Sequence, residues 1–213
     1  MRDKNGKGIG LEKETAENYK KYLERVNYYK SFGYDFEKER KFILEKARPL
    51  AGSILEIGTG KGYFTLELAR EGYNFTSVDI SEEEQKLARF NIRHFDLDKK
   101  VDFRIENAEH LSFEDRSFDI IFSINTIHHL ANPLKVIDEL TRIVTSGGKI
   151  ILSDFSSEGL KVIDKIHASE GRKHEAGKIN LKDIESYLSH KNFRLEKHRS
   201  EFQEILIASH QII

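Results

Sequence analysis

The chain has 213 residues, 35 Lys+Arg against 36 Asp+Glu for a formal charge of −1, and no cysteine. That length holds one α/β domain with a full core but hardly two, and the balanced charge supplies no field that would draw it to nucleic acid or anionic lipid. The missing cysteines exclude disulfides, thiolate metal sites and a cysteine nucleophile.

The opening stretch MRDKNGKGIGLEKETAENYKK is too charged for a secretory leader, and no apolar run reaches membrane-spanning length. A cytoplasmic protein without membrane attachment is expected. Gly6, Gly8 and Gly10 follow no strand and precede no clear helix, so they read as a mobile arm. One or two helices fill the rest of a cap segment over residues 1–48, with Tyr19, Tyr22, Val26 and Tyr29 at helical spacing. That stripe has two readings, packing against the domain or a lid over a ligand. Tyr19 and Tyr29 are its substrate-side candidates.

Residues 49–213 alternate strand and helix patterns. SILEIG (53–58) is a buried strand, YFTLELAREG a helix stopped by Gly72, and YNFTSVDI a second strand. Ser81 and Glu84 form a capping box for the next helix. VDFRIENAE and SFDIIFSIN read as strands three and four. Asn132-Pro133 starts a helix that Gly147-Gly148 ends, and KIILSDF is strand five. Asn180 with Asp183 caps a late helix, and FRLEKHRSE with FQEILIASH makes a closing antiparallel hairpin. The pattern predicts a Rossmann-like, doubly wound α/β fold. Its seven-stranded sheet is mostly parallel, with one antiparallel strand and helices on both faces.

Gly58, Gly60 and Gly62 lie between the first strand and its helix, where open α/β sheets bind ligands and where glycine lets a ligand approach bare backbone. Asp79 ends the second strand, placed to accept from both hydroxyls of a ribose. A nucleoside is the expected ligand, which leaves a nicotinamide dinucleotide or S-adenosylmethionine. The spacing G-x-G-x-G differs from the dinucleotide G-x-G-x-x-G, and Glu56 two residues upstream would repel a pyrophosphate while suiting an ammonium and a sulfonium.

With these residues in place, the chain resembles the class I S-adenosylmethionine-dependent methyltransferases, in the group similar to ubiquinone/menaquinone-biosynthesis enzymes and their small-molecule relatives. ILEIGTGKGYF resembles the family's first motif and TSVDIS its ribose-binding strand end. IENAEHLSFEDRSFDIIFSINTIHHLANP resembles the adenine loop and fourth strand, and GGKIILSDF the fifth. The resemblance implies a cradle for the methionine moiety from Glu56, Gly58, Thr59, Gly60 and Gly62, with Asp79 on the ribose and Ile80 against the adenine. Asn107 and Ala108 would meet the adenine edge and Asn125 would lie near the methyl group. Many relatives carry aspartate where this chain has Asn107, so that contact loses charge assistance.

Methyl transfer from a sulfonium is an in-line displacement, and a base is needed only for a protonated nucleophile. His128 is the catalytic candidate and His129 a substrate-side one. Adjacent residues of an extended or turning segment face opposite ways, so at most one of the two faces the pocket. His167 and His174 are seven apart with Gly171 between them, and no metal site is expected. The acceptor expected is a small molecule and the product S-adenosylhomocysteine, while the attacked atom and the oligomeric state are left open. Two other functions remain to be separated by turnover and ligand protection: a non-catalytic sensor or partner subunit that binds the same cofactor, and an NAD(P)-dependent oxidoreductase.

Overall fold

Short apolar runs become strands of a single sheet in the computed structural model, which describes residues 9–173, 177 and 179–210. The strands are β1 (Ile54–Ile57), β2 (Phe75–Asp79), β3 (Val101–Ile105), β4 (Phe118–Ile124), β5 (Val144–Phe155), β6 (Phe193–Arg199) and β7 (Gln203–His210). Their order is β3-β2-β1-β4-β5-β7-β6. All the pairs among β1 to β5 are parallel, and β7 runs antiparallel to both β5 and β6. This is the mixed seven-stranded sheet that the strand–helix alternation and closing hairpin predict.

The helices are α1 (Ile9–Ser31), α2 (Phe36–Ala47), α3 (Tyr63–Arg70), α4 (Glu82–His94), α5 (Pro133–Ile143), α6 (Ser157–Ser169) and α7 (Leu181–His190). Successive strand residues point to opposite faces, so each face collects its own core. Ile54, Ile120 and Phe122 bury against Ile43 and Leu44 of α2, Phe64 and Leu68 of α3, and Ile92 of α4. Leu55, Ile57 and Ile121 bury against Val136 and Leu140 of α5 and Ile184 and Leu188 of α7. A third cluster joins Tyr29, Tyr34 and Phe36 to Ile163 and Ile166 of α6 and to Phe202. It ties the first two helices to the sheet end.

The N-terminal stripe packs. Tyr19 stacks on His94 with ring centroids 3.8 Å apart, and Tyr22 stacks on Tyr63 at 5.3 Å. Asn18 Nδ2 donates to Asn91 Oδ1 at 2.9 Å, and so fixes α1 along α4. Gly10 lies inside α1 rather than in an arm, because the helix already begins at Ile9, whereas Gly6 and Gly8 lie outside the described residues. At the other end of the chain, the Asn180–Asp183 capping box forms in both directions.

One helix boundary differs from expectation. α5 stops at Ile143, and Gly147-Gly148 continue β5, whose pairing with β4 shifts register between Phe118 and Ile120. The reason for glycine is close approach: a Cβ on Gly148 would sit 2.7 Å from the Asp119 carbonyl. α5 does start at Pro133 with Asn132 at its N-cap position, but the Asn132 side chain makes no cap hydrogen bond; its amide donates to both carboxylate oxygens of Glu109, at 3.0 and 3.1 Å. Ser81 does cap α4, accepting from Glu84 N–H at 3.2 Å.

From β1 the chain steps outward through β2 and β3, whereas β4 begins on β1's other side. The reversal opens a crevice over the C-terminal ends of β1 and β4, the place where such sheets bind ligands.

Candidate functional site

A cavity of about 580 Å³ fills that crevice. Of the residues singled out in the sequence, Glu56, Gly58, Thr59, Gly60, Asp79, Ile80, Asn107, Ala108, Asn125 and His129 line it. Gly62, His128, Tyr19 and Tyr29 do not.

The glycine loop separates into three different jobs. All three residues have left-handed backbone, with φ of 82°, 49° and 79° at Gly58, Gly60 and Gly62. A Cβ on Gly58 would meet Thr126 Oγ1 at 2.3 Å, and one on Gly62 would meet the Ala88 Cβ at 2.7 Å. Gly58 therefore answers to the β4 loop and Gly62 to the contact of α3 with α4. Only a Cβ on Gly60 would point into open space. Gly62→Ala is expected to cost about 1–3 kcal/mol through the α3–α4 contact. The measurement is urea unfolding, with ligand affinity unchanged in the fraction that stays folded.

Below the loop lies a closed polar cluster. Ser77 Oγ and Thr65 Oγ1 both donate to Glu56 Oε2, at 2.6 and 2.8 Å. Because the Ser77 proton is used there, Thr59 Oγ1 donates to Ser77 Oγ at 2.6 Å and accepts from Gln85 Nε2 at 3.4 Å. Glu56 Oε1 takes neither hydroxyl. Burial pushes the Glu56 carboxyl up to about 7, against the pull of the two hydroxyls.

Asp79 already accepts Gly60 N–H on Oδ2 at 2.7 Å and Ser81 N–H on Oδ1 at 2.8 Å. A carboxylate has about four acceptor positions, so two remain for a ligand. Next to it Ile80 is 70% exposed, a flat apolar surface at the cavity edge. Asn107 Oδ1 accepts from Glu109 N–H at 3.0 Å, leaving one lone pair and the amide protons. Asn125 has φ of 52°, its N–H donates to Ser153 O at 2.8 Å, and its Oδ1 and Nδ2 are both buried with no partner. A buried amide left unmet costs about 1–3 kcal/mol, which a ligand would recover.

Arg40 does not stand out in the sequence. It lines the cavity, is 5% exposed, and has an unpartnered Nε. A signal is there all the same: Phe36, Ile43, Leu44 and Ala47 mark the buried stripe of α2, and Glu39 and Arg40 fall on it. The tyrosine that lines the cavity is Tyr63, and not Tyr19 or Tyr29. Tyr19 instead faces α4, and Tyr29 is buried with its hydroxyl accepting from Arg25 at 2.7 Å.

The histidine pair lies in a 3₁₀ turn, Ile127–His129. His128 is buried, its Nδ1 2.6 Å from Asp154 Oδ1, and its ring is 4.0 Å from that of His129. The cavity-facing member is therefore His129 and not His128, the catalytic candidate of the sequence, because Asp154 draws the His128 ring inward. His167 lies in α6, and His174 is outside the described residues.

Five carboxylates (Glu56, Asp79, Glu84, Glu106 and Glu109) and two cations, Arg40 and Lys61, line the cavity. Such a lining favours a ligand with net positive charge and opposes a pyrophosphate. Glu56 and Arg40 form no ion pair with each other, so each is left to meet an opposite charge on a ligand.

The family described as "Methyltransferase domain" matches residues 55–152. The chain is 28% identical over 144 residues to the 27-O-demethylrifamycin SV methyltransferase of Amycolatopsis mediterranei (strain S699), covering 64% of this chain and 51% of that protein. It is 33% identical over 111 residues to the mitochondrial ubiquinone biosynthesis O-methyltransferase of Arabidopsis thaliana, covering 50% of this chain and 34% of that one. It thus spans about half the length of these relatives, or less. Among solved structures it is similar to a SAM-dependent methyltransferase from Methanosarcina mazei, at 25% identity and TM-score 0.62, over 80% of this chain and 98% of that chain. A SAM-dependent methyltransferase from Aquifex aeolicus shares the fold at TM-score 0.62 and 19% identity, over 79% and 88% of the two chains.

Proposed function

We propose that this chain, which belongs to the class I S-adenosylmethionine-dependent methyltransferases, transfers a methyl group from that cofactor to a small-molecule acceptor. The observation that carries the reading is the separated pair of buried opposite charges, Glu56 and Arg40, in a cavity that also holds Asp79. A carboxylate and a guanidinium that do not pair with each other suit the two ends of an amino-acid zwitterion, and Asp79 suits a ribose. One ligand carries both features.

In this arrangement Glu56 holds the ammonium and Arg40 the carboxylate, while Gly60 admits the chain between them. Asp79 accepts from the ribose hydroxyls, Ile80 lies against the adenine face, and Asn107 with the Ala108 N–H meets its edge. Thr59 and Gly62 support the loop, and Gly58 lets Thr126 close against it. Asn125 turns its unmet amide toward the reacting centre. When bound, the sulfonium supplies an electrophilic methyl and a neutral thioether leaving group. The protein's part is alignment and exclusion of water.

For a nucleophile that arrives protonated, we place the contact on His129, which lines the cavity. His128, tied to Asp154 through Nδ1, holds the neighbouring ring in place. The names of the two relatives direct the first acceptor panel to hydroxylated small molecules, with the attacked atom read from the product.

Calorimetry with S-adenosylhomocysteine tests the binding half of the reading, and turnover of labelled cofactor against the acceptor panel tests the transfer half. No heat at saturating ligand overturns the binding assignment; binding without product from any acceptor overturns the transfer. Asp79→Ala is expected to weaken S-adenosylhomocysteine by about 1–3 kcal/mol, because it removes the ribose acceptors and frees Gly60 N–H from its anchor. Asp79→Asn, which keeps one carbonyl acceptor, is expected to lose less.

A further inference from the structure

Arg40 is not free to choose its direction. Its Nη1 donates to Tyr34 Oη at 2.9 Å, and the same oxygen meets Gln203 Nε2 at 2.8 Å. The other end of that amide, Gln203 Oε1, accepts from Ser153 Oγ at 2.7 Å. Tyr34, Gln203 and Ser153 are completely buried, and none of them lines the cavity. The chain thus runs from β5 and β7 through the α1–α2 turn to one guanidinium, that of a residue which lines the cavity and whose buried Nε has no partner. Ser153 O also fixes the Asn125 backbone, so one strand residue anchors both unmet polar groups.

The alternative for Arg40 is close by. Glu56 lines the same cavity as Arg40, yet the two do not pair. Two N–H donors converging on Tyr34 Oη hold the guanidinium back; removing that oxygen would strand both donors in a dry interior and release Arg40 toward the carboxylate. We infer that Tyr34 and Gln203 are positioning residues that aim Arg40 at the carboxylate of the ligand's amino-acid tail and keep it from collapsing onto Glu56. This rests on the cofactor reading above.

The test compares two nucleosides by calorimetry. S-Adenosylhomocysteine carries the tail, and 5′-methylthioadenosine has the same nucleoside and a thioether without it. Tyr34→Phe, Gln203→Met and Arg40→Gln are each expected to weaken the first by about tenfold or more while changing the second by less than about twofold. A purely structural role would weaken both alike, and would overturn the inference. So would a normal preference for the tailed ligand in Tyr34→Phe and Gln203→Met, or in Arg40→Gln. Tyr34→Phe keeps the ring and Gln203→Met the volume, so either variant alone decides if the other fails to fold. A wild-type protein that binds neither nucleoside would instead show that the cofactor reading itself is wrong, and the inference falls with it.

Discussion

Gly60→Val is expected to abolish binding of S-adenosylhomocysteine while leaving the fold in place. A Cβ at this position meets nothing within 4 Å, so the new side chain projects into the cavity and not into the protein. Two branched methyl groups would then occupy the space where the amino-acid portion of the ligand passes between Glu56 and Asp79. The neighbouring backbone has no room to yield. Gly58 and Thr59 N–H both donate to Val78 O, at 2.8 and 3.1 Å, and Gly60 N–H is held by Asp79. The loss is expected to exceed about a hundredfold in affinity, since an overpacking cost of about 1–3 kcal/mol comes on top of the hydrogen bonds that a displaced ligand can no longer make.

The backbone at Gly60, with φ of 49°, adds about 1–3 kcal/mol of strain for a β-branched residue. The melting temperature should therefore fall with the far-UV circular dichroism unchanged. Gly60→Ala, with a smaller side chain, should keep partial binding. Gly62→Ala supplies the opposite control, losing stability through Ala88 with no part in the cavity. A folded Gly60→Val protein that binds within about threefold of wild type would mean the ligand does not press on this loop.

The contrast among these glycines shows what a linear pattern carries. The strand–loop–helix context of Gly58, Gly60 and Gly62 is what makes them a candidate ligand loop in the sequence, because glycines there leave the backbone bare at the end of a strand. Which glycine faces the ligand depends on Thr126 and Ala88, residues 68 and 26 positions downstream of Gly58 and Gly62, and no local pattern reports such neighbours. Asp79 is legible for the same reason as the loop: it ends a strand at a fixed distance from it.

Arg40 is not, since FEKERKFILEKA reads as a solvated helix until its charges are placed on the stripe set by Phe36 and Ile43. The histidine pair shows a third kind of limit. Alternation says at most one ring faces the cavity, but which one depends on the 3₁₀ turn and on Asp154 claiming His128. Strands and hairpin are readable because period-two and short apolar runs are local. Gly147-Gly148 misleads because a glycine pair stops a helix or relieves a crowded strand equally well, and the crowding of Gly148 by Asp119 across the sheet and by Thr145 and Val144 decides.

Glu56→Gln is expected to change two pH profiles in opposite senses. The folded protein holds a proton on Glu56 up to about 7, whereas the unfolded chain releases it near the ordinary value of 4.5. The stabilisation from this group is fully present below 4.5 and is lost as pH rises through 7. At 1.36 kcal/mol per pH unit the loss is on the order of 3 kcal/mol. Glutamine has no proton to release and can still meet Ser77 and Thr65, so urea unfolding at about pH 5 and about pH 8 should show the drop in wild type and not in the variant.

Binding should run the other way. A ligand ammonium needs the ionised carboxylate, so wild-type affinity for S-adenosylhomocysteine should climb between about pH 5.5 and 7.5, below the range where an α-amino group itself titrates. The variant should be weak and flat across that interval. The two measurements separate burial from recognition. A variant whose stability profile flattens while its affinity still climbs would show that the fold feels the Glu56 charge and the ligand does not. The ammonium would then belong to another carboxylate of the lining, with Asp79 the first to replace.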